Sequence, residues 1–125
     1  MSENELSKIT LDCCFKIHSE LGPGLLESIY EEILCYELTR TGLNYERQKE
    51  VSTIYQNINF GIGFRADLIL ENKLILELKS VEEIRSVHKK QLLTYLKLTN
   101  LKLGLLINFN EALLKDGITR IANNL

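Results

Sequence analysis

The sequence predicts an α/β fold, a mixed central β-sheet flanked by helices in the order α-α-β-β-β-α-β. Two segments near the start repeat apolar residues every three or four positions, as amphipathic helices do. The middle of the chain alternates apolar and polar residues with period two, as strands with one buried face do. A third helical segment then leads into a nearly continuous apolar run, which is typical of a strand buried on both faces.

The composition is that of one ordinary domain, and we expect residues 1–125 to form a single unit. A net charge of -2 argues against a protein that binds nucleic acid through bulk positive charge. Three cysteines without a C-x-x-C pair, with only two histidines, support neither a disulfide framework nor a structural zinc site. The acidic start lacks the apolar core of a signal peptide, and no apolar run is long enough to span a membrane. We therefore expect a cytoplasmic protein without membrane association.

The first predicted helix begins at about Leu6 and is stopped by Gly22-Pro23-Gly24. The second begins just after Gly24, runs to about Arg40 and ends with Gly42 as its cap. We expect His18, a lone histidine on the first helix, to lie at the surface or to be a hydrogen-bonded core residue.

The second helix carries the acidic residues that matter for function. In helical projection Glu27 falls at the margin of the apolar stripe, so we expect its carboxylate to approach the interior, whereas Glu31 and Glu32 turn outward. The alternative for Glu27 is an exposed first-turn acid that complements the helix dipole. Glu37 is the competing inward acid if Glu27 proves exposed.

A first strand is predicted from Tyr45 to Ile54, followed by a turn at Gln56-Asn57. Gly61 and Gly63 lie ahead of the next strand, where glycines commonly mark a bulge or a close backbone approach.

The central feature is a hairpin over residues 65–80 whose two strands flank the polar loop Glu71-Asn72-Lys73. Placing Leu70 opposite Leu74 sets the register of the whole hairpin, because paired positions keep a constant sum. One face is then apolar and predicted to be core: Ala66, Leu68, Leu70, Leu74, Leu76 and Leu78.

The opposite face of this hairpin gathers four charged residues at one end, Arg65, Asp67, Glu77 and Lys79. Two carboxylates directly across a ladder repel each other unless a cation lies between them. Lys79 is one candidate for that cation and a divalent metal such as Mg²⁺, which prefers carboxylate oxygen, is the other. The alternative is a solvated salt-bridge ladder on an exposed sheet face.

The third helix is predicted from about Ser86 to Thr99, with His88, Gln91 and Tyr95 on one face. It carries the densest positive charge in the chain, which either is solvated or contacts phosphates. A strand is predicted from Leu101 to Phe109, and a small terminal hairpin from Leu113 to Ile121 turns at Asp116-Gly117.

Several motifs of the chain occur together in one known family. They are Gly24-Leu25-Leu26-Glu27-Ser28-Ile29-Tyr30, Asp67 followed by Glu77-Leu78-Lys79, Gln91-Leu92-Leu93-Thr94-Tyr95 and the strand Leu103–Phe109. In this ordered set the chain resembles the GxxExxY family of the PD-(D/E)XK nuclease superfamily. The resemblance covers about Ile9 to Ile121.

The resemblance implies a restriction-endonuclease-like core and a Mg²⁺-dependent nuclease, with Mn²⁺ as an alternative metal. On this reading Asp67, Glu77 and Glu27 are metal ligands, and Lys79 is catalytic with them. The backbone carbonyl of Leu78 is a plausible further ligand. Four residues are expected to support the site or contact the substrate, although Gln91 and Tyr95 could equally be polar links between helix and sheet: Gln91, Tyr95, Arg65 and His88.

The predicted partner is nucleic acid, with DNA favoured over RNA, and a homodimer or a protein partner is also expected because so small a chain has little surface for substrate selection. The rival hypothesis is a catalytically inactive module of the same fold that binds nucleic acid or a protein.

Overall fold

The computed structural model describes residues 1–125 and has the predicted α/β fold. A mixed five-stranded sheet in the order β1-β2-β3-β4-β5 is flanked by three helices. The elements are α1 (Glu3–Leu21), α2 (Glu27–Thr41), β1 (Tyr45–Tyr55), β2 (Ile58–Leu70), β3 (Leu74–Lys79), α3 (Ser86–Thr99), β4 (Leu103–Asn108), a 3₁₀ turn (Leu114–Gly117) and β5 (Ile118–Ala122). None of the helices is both long and apolar enough to cross a membrane.

The sheet is covered on both faces. Helices α1 and α2 pack on one face in a cluster of 19 buried residues that includes Leu68, Leu76 and Leu105. Helix α3 packs on the other face, where Leu92 and Leu96 meet a smaller cluster. Strands β3 and β4 are parallel, with α3 as the crossover between them. Because β3 and β4 lie at the centre, all their side chains except that of Lys79 are buried.

The predicted hairpin register is confirmed next to its loop. Leu70 pairs with Leu74, Ile69 with Ile75 and Leu68 with Leu76. The ladder ends there, so the expectation that it continues through Asp67 and Glu77 to Arg65 and Lys79 is wrong. The reason is that carboxylate side chains replace the next backbone bonds, as described below.

The predicted core face is correct except at Ala66, which lies under α3 with Phe64 and Ile69 instead of beneath α1 and α2. Leu68 lies in the opposite cluster. The side-chain alternation of β2 therefore changes phase between Ala66 and Ile69, in the region where the regular ladder stops. A shift of one residue in a strand exchanges its two faces.

The predicted terminal hairpin is wrong. Asp116-Gly117 belongs to the 3₁₀ turn, and β5 pairs antiparallel with β4, for example Leu105 with Arg120. Pairing with the central sheet satisfies more backbone groups than an isolated two-stranded hairpin could, because such a hairpin is marginal in water.

Four other local predictions agree with the structure. Gly42 has a left-handed conformation at the end of α2, and His18 is buried with Nε2 2.8 Å from the carbonyl of Glu111. Gln56 and Asn57 both have positive φ in the turn between β1 and β2. A Cβ on Gly63 would collide with Thr53, so the close approach expected at this glycine is present.

Candidate metal centre

Two carboxylates meet where β2 and β3 diverge. The backbone N–H of Asp67 donates to Glu77 Oε2 at 3.0 Å, and the backbone N–H of Leu78 donates to Asp67 Oδ2 at 2.8 Å. Each carboxylate therefore accepts a backbone hydrogen bond from the neighbouring strand with one of its oxygens. The other oxygen of each carboxylate takes no part in these two bonds. These bonds take the place of the ladder beyond Leu68 and Leu76.

A distortion of β1 lies opposite Asp67. Arg47 pairs with Leu68 and Lys49 with Ala66, but Gln48 and Asp67 between them are absent from the ladder. Gln48 has φ +51°, a left-handed conformation that non-glycine residues rarely adopt. This conformation interrupts the strand and allows the N–H of Asp67 to reach Glu77 instead of β1.

Burial and charge repulsion make Glu77 an unusual acid. Its residue is only 8% exposed, and desolvation, followed by the negative charge of Asp67, raises its pKa to about 8. The positive charge of Lys79 acts in the opposite direction. Neither acid forms an ion pair within 4 Å, nor does Lys79. The arrangement is thus not the solvated salt-bridge ladder considered from the sequence.

A second polar network adjoins the pair and involves Glu31, which the sequence analysis placed outside. Glu31 is 6% exposed. It accepts hydrogen bonds from Arg47 and, at 2.8 Å, from Gln48 Nε2. The same Gln48 nitrogen lies 3.4 Å from Asp67 Oδ1. Glu31 is therefore connected to the carboxylate pair through one amide.

The burial of Glu31 was not predicted because the apolar stripe of α2 was centred on the wrong residues. The buried positions are Tyr30, Glu31, Leu34, Cys35 and Leu38. Glu31 is three residues before Leu34 and seven before Leu38, a spacing that marks a shared helix face. This spacing in the sequence therefore indicated that Glu31 shares the buried face. No sequence pattern indicated Gln48, because only its left-handed backbone conformation directs its side chain to the site.

The expected inward position of Glu27 is wrong, because its side chain is exposed. The first turn of α2 extends past the core, and burial begins only at Tyr30. Glu27 lines an open cleft of about 470 Å³ together with Ser80, which directly follows Lys79. The competing acid Glu37 is mostly buried but pairs with Lys16 on α1, at a different place in the fold.

Of the predicted supporting residues, only Tyr95 lies close to the carboxylates. Burial and the charges of Glu77 and Asp67 raise its pKa, and its ring stacks on Phe64 with centroids 3.8 Å apart. Gln91 is exposed, and its side chain makes no hydrogen bond within the protein.

The other two predicted supporting residues have local roles in the structure. His88 accepts a hydrogen bond from the backbone N–H of Arg85 at its Nδ1 and so caps α3. Arg65 is exposed and lies 4.0 Å from Glu50. Neither contacts Asp67 or Glu77.

The positive charge of α3 lies away from the carboxylates. Lys90 and Lys97 are exposed, and in helical projection they lie on the side of α3 opposite Tyr95. The sequence pattern is compatible both with a solvated charge and with contacts to phosphates. Its position favours a surface separate from the carboxylate pair.

The donor set at the gap suits a hard cation. Mg²⁺ is commonly held by one or two carboxylates and keeps several waters. The N–H of Leu78 points at Asp67, and a strand residue directs its N–H and C=O to the same side. The carbonyl of Leu78 therefore faces the same gap. No group of three histidine, cysteine, aspartate or glutamate side chains is close enough to hold a metal. The fit thus depends on two carboxylates and one carbonyl.

Comparison with known families agrees with this arrangement. A family model described as the PD-(D/E)XK nuclease superfamily matches residues 4–121. The chain belongs to the PD-(D/E)XK nuclease superfamily. The match covers the two strands that carry Asp67, Glu77 and Lys79, and the superfamily is defined by this combination of acids and lysine. The narrower GxxExxY assignment stays a prediction. No curated protein and no solved structure matches the chain.

Proposed function

We propose that this member of the PD-(D/E)XK superfamily is a Mg²⁺-dependent nuclease that hydrolyses phosphodiester bonds in nucleic acid, with Mn²⁺ as an alternative metal. The observation that carries the proposal is the meeting of Asp67 and Glu77 in the gap between β2 and β3. The repulsion between the buried Glu77 and the half-buried Asp67 is destabilising, and a bound divalent ion would remove that cost.

Asp67, Glu77 and the carbonyl of Leu78 would hold the metal in this proposal. A bound Mg²⁺ would polarise the phosphoryl oxygens and lower the pKa of a coordinated water. The hydrogen bonds from Leu78 and Asp67 hold the two carboxylates in place before any ligand binds. Such preorganisation reduces the entropy that is lost on binding.

Lys79 would provide the positive side chain of the reaction. It lies two residues after Glu77, so alternation directs it to the same face of β3. The Lys79 residue is half-buried, and its ammonium makes no ion pair in the protein. A lysine in this position would orient the attacking water and stabilise charge on the phosphate as the transition state forms.

Two further acids are assigned less direct roles. Glu27 faces solvent in the cleft beside Ser80, where it would reach a metal through water. Glu31 would orient Asp67 through Gln48, because that amide contacts both acids. Tyr95 would border the substrate, since the charges of both carboxylates act on its hydroxyl and its ring is held in place by stacking on Phe64.

The decisive experiment is calorimetric titration of Mg²⁺ and Mn²⁺ into the protein and into Asp67→Asn and Glu77→Gln, followed by cleavage assays on DNA and RNA. We expect binding and cleavage by the wild type, and loss of both in the two variants. Glu32→Gln is the matched control, because Glu32 is an exposed acid that contacts only Arg47. A circular dichroism spectrum of each variant separates loss of the site from loss of the fold.

Metal binding without cleavage of any substrate would support a binding module instead of an enzyme. Absence of metal binding, both with and without nucleic acid, would contradict the proposal and favour the catalytically inactive module.

A further inference from the structure

The ends of β1 and β2 form a long hairpin that extends beyond both packed layers. We call residues 52–63 the hairpin arm. Neither hydrophobic cluster includes any residue of the arm, and the last contacts with α3 are made by Val51 and Phe64 at its base. Five large apolar side chains of the arm are 54–66% exposed: Ile54, Tyr55, Ile58, Phe60 and Ile62.

These side chains occupy both faces of the hairpin. Tyr55 pairs directly with Ile58, so the two lie on one face, and Phe60 follows Ile58 by two residues. Ile54 is adjacent to Tyr55 and therefore points to the other face. A two-stranded hairpin that is uncovered on both faces is only marginally stable in water. The arm thus has the composition of a structure that is buried against a partner.

The absence of charge on the arm restricts the class of partner that it can bind. Residues 52–63 include no charged side chain. Binding to nucleic acid depends largely on lysine and arginine contacts to phosphates, even where aromatic rings stack on bases. Charged residues begin only below the arm, with Lys49 and Glu50 on β1 and Arg65 on β2. The arm therefore suits an uncharged, apolar protein surface.

The arm itself is such a surface, and β1 lies at the edge of the sheet with one side unpaired. Strand edges and apolar faces pair with copies of themselves when no charge prevents it. In β1 the charges at Glu46, Arg47, Lys49 and Glu50 would block pairing near the sheet, whereas the stretch from Ser52 to Tyr55 would not. Such a contact between identical patches has twofold symmetry.

We propose that the hairpin arm is a homodimer interface, in which each arm packs against the arm of a second copy. The face that carries Tyr55, Ile58 and Phe60 offers on the order of 300 Å² per copy, by the sizes typical of aromatic and aliphatic side chains. Weak or transient interfaces bury less than about 600 Å² per partner, and this face together with the uncharged edge from Ser52 to Tyr55 falls in that size class. Because β1 and β2 also carry Gln48 and Asp67, the contact orients the two carboxylate gaps relative to each other.

The test is the molar mass in solution, measured by sedimentation equilibrium at micromolar and higher concentrations. We expect twice the 14.4 kDa of the chain for the wild type and the single-chain mass for Tyr55→Ser/Phe60→Ser. Phe15→Ser/Leu113→Ser is the matched control, because these residues are also exposed and apolar but lie outside the arm. This control should remain a dimer.

A second variant tests the contact by crosslinking. Asn57→Cys places a thiol at the tip of the arm, whereas the three native cysteines are buried. A short thiol crosslinker should join two Asn57→Cys chains and leave a Lys115→Cys control single. A monomeric wild type, or a Tyr55→Ser/Phe60→Ser variant that stays dimeric, would overturn the proposal. A monomer whose arm variant loses single-stranded DNA binding would assign the arm to nucleic acid instead. Neither result depends on metal binding or cleavage.

Discussion

At the scale of single residues, Glu77 is subject to two opposing effects, burial and hydrogen bonding. Glu77 lies on a central strand and is buried, yet it is hydrogen-bonded to the backbone of Asp67. Burial favours the neutral acid, while the backbone N–H and Lys79 favour the carboxylate. Desolvation dominates in the metal-free protein. Perturbed acids of this kind are concentrated at functional sites.

The raised pKa of Glu77 predicts how stability depends on pH. Its pKa is raised from 4.5 to about 8 in the folded state, so folding favours the protonated form. That contribution is complete below the unfolded pKa and is lost as pH rises through the folded pKa. We expect the melting temperature of the metal-free wild type to fall across this range relative to that of Glu77→Gln, which has no proton to lose.

Thermal melts of both proteins in chelator, at a series of pH values, would check this. Parallel curves for the two proteins would show that Glu77 ionises normally in the folded state.

At the scale of elements, the segment Gly24–Tyr30 has a structural reason for its pattern. Tyr30 is fully buried and stacks on Phe109. Its hydroxyl donates to the carbonyl of Gly22 at 2.6 Å and accepts from the N–H of Leu25 at 3.2 Å. Gly24 has φ +105°, which favours glycine. The glycine and the tyrosine together hold the turn from which α2 begins, and so position Glu27 in the cleft.

Helix α2 is joined to β1 by an ion-pair network with one buried and one exposed acid, which predicts unequal effects of mutation. Glu31→Gln neutralises a buried acid that pairs with Arg47, so we expect a loss of about 2 kcal/mol in the free energy of unfolding. Glu32→Gln removes an exposed partner of the same arginine and should cost less than about 1 kcal/mol.

Urea unfolding of the two variants beside the wild type measures both changes. Equal losses would mean that the burial of Glu31 does not strengthen its contact with Arg47.

At the scale of the whole molecule, the carboxylate gap lies where the sheet meets both helical layers. Glu31 and Gln48 approach from the side of α2 and β1, and Tyr95 from α3. A ligand that binds in the gap therefore contacts groups from several elements. Stability and binding should be coupled, because a ligand that binds only the folded state stabilises all of it.

This coupling predicts that Mg²⁺ raises the melting temperature. At a metal concentration about 100 times its dissociation constant, the free energy of unfolding should increase by about 2.7 kcal/mol. The shift should be absent in Asp67→Asn, in which one ligand is neutral. Scanning calorimetry with Mg²⁺, with Mn²⁺ and with chelator measures it. A shift of equal size in Asp67→Asn would place the bound metal elsewhere in the protein.

Local patterns in the sequence were sufficient for the fold class, the three helices, the hairpin register at Leu70 and Leu74, and the proximity of Asp67 and Glu77. These features follow from helical and strand periodicity and from counting across a short loop, which depend on neighbours in the chain.

Only the tertiary structure decided where the alternation fails and which helix acid enters the interior. Gln48 leaves the ladder and β2 changes phase near Asp67, because the carboxylates bond to the backbone instead of facing each other across a regular sheet. Glu31 is buried and Glu27 exposed, because the sheet covers α2 only from its second turn onward. β5 joins β4 instead of folding on itself, since the sheet edge satisfies its hydrogen bonds. Each of these outcomes depends on a contact between residues distant in the chain, which local periodicity does not encode.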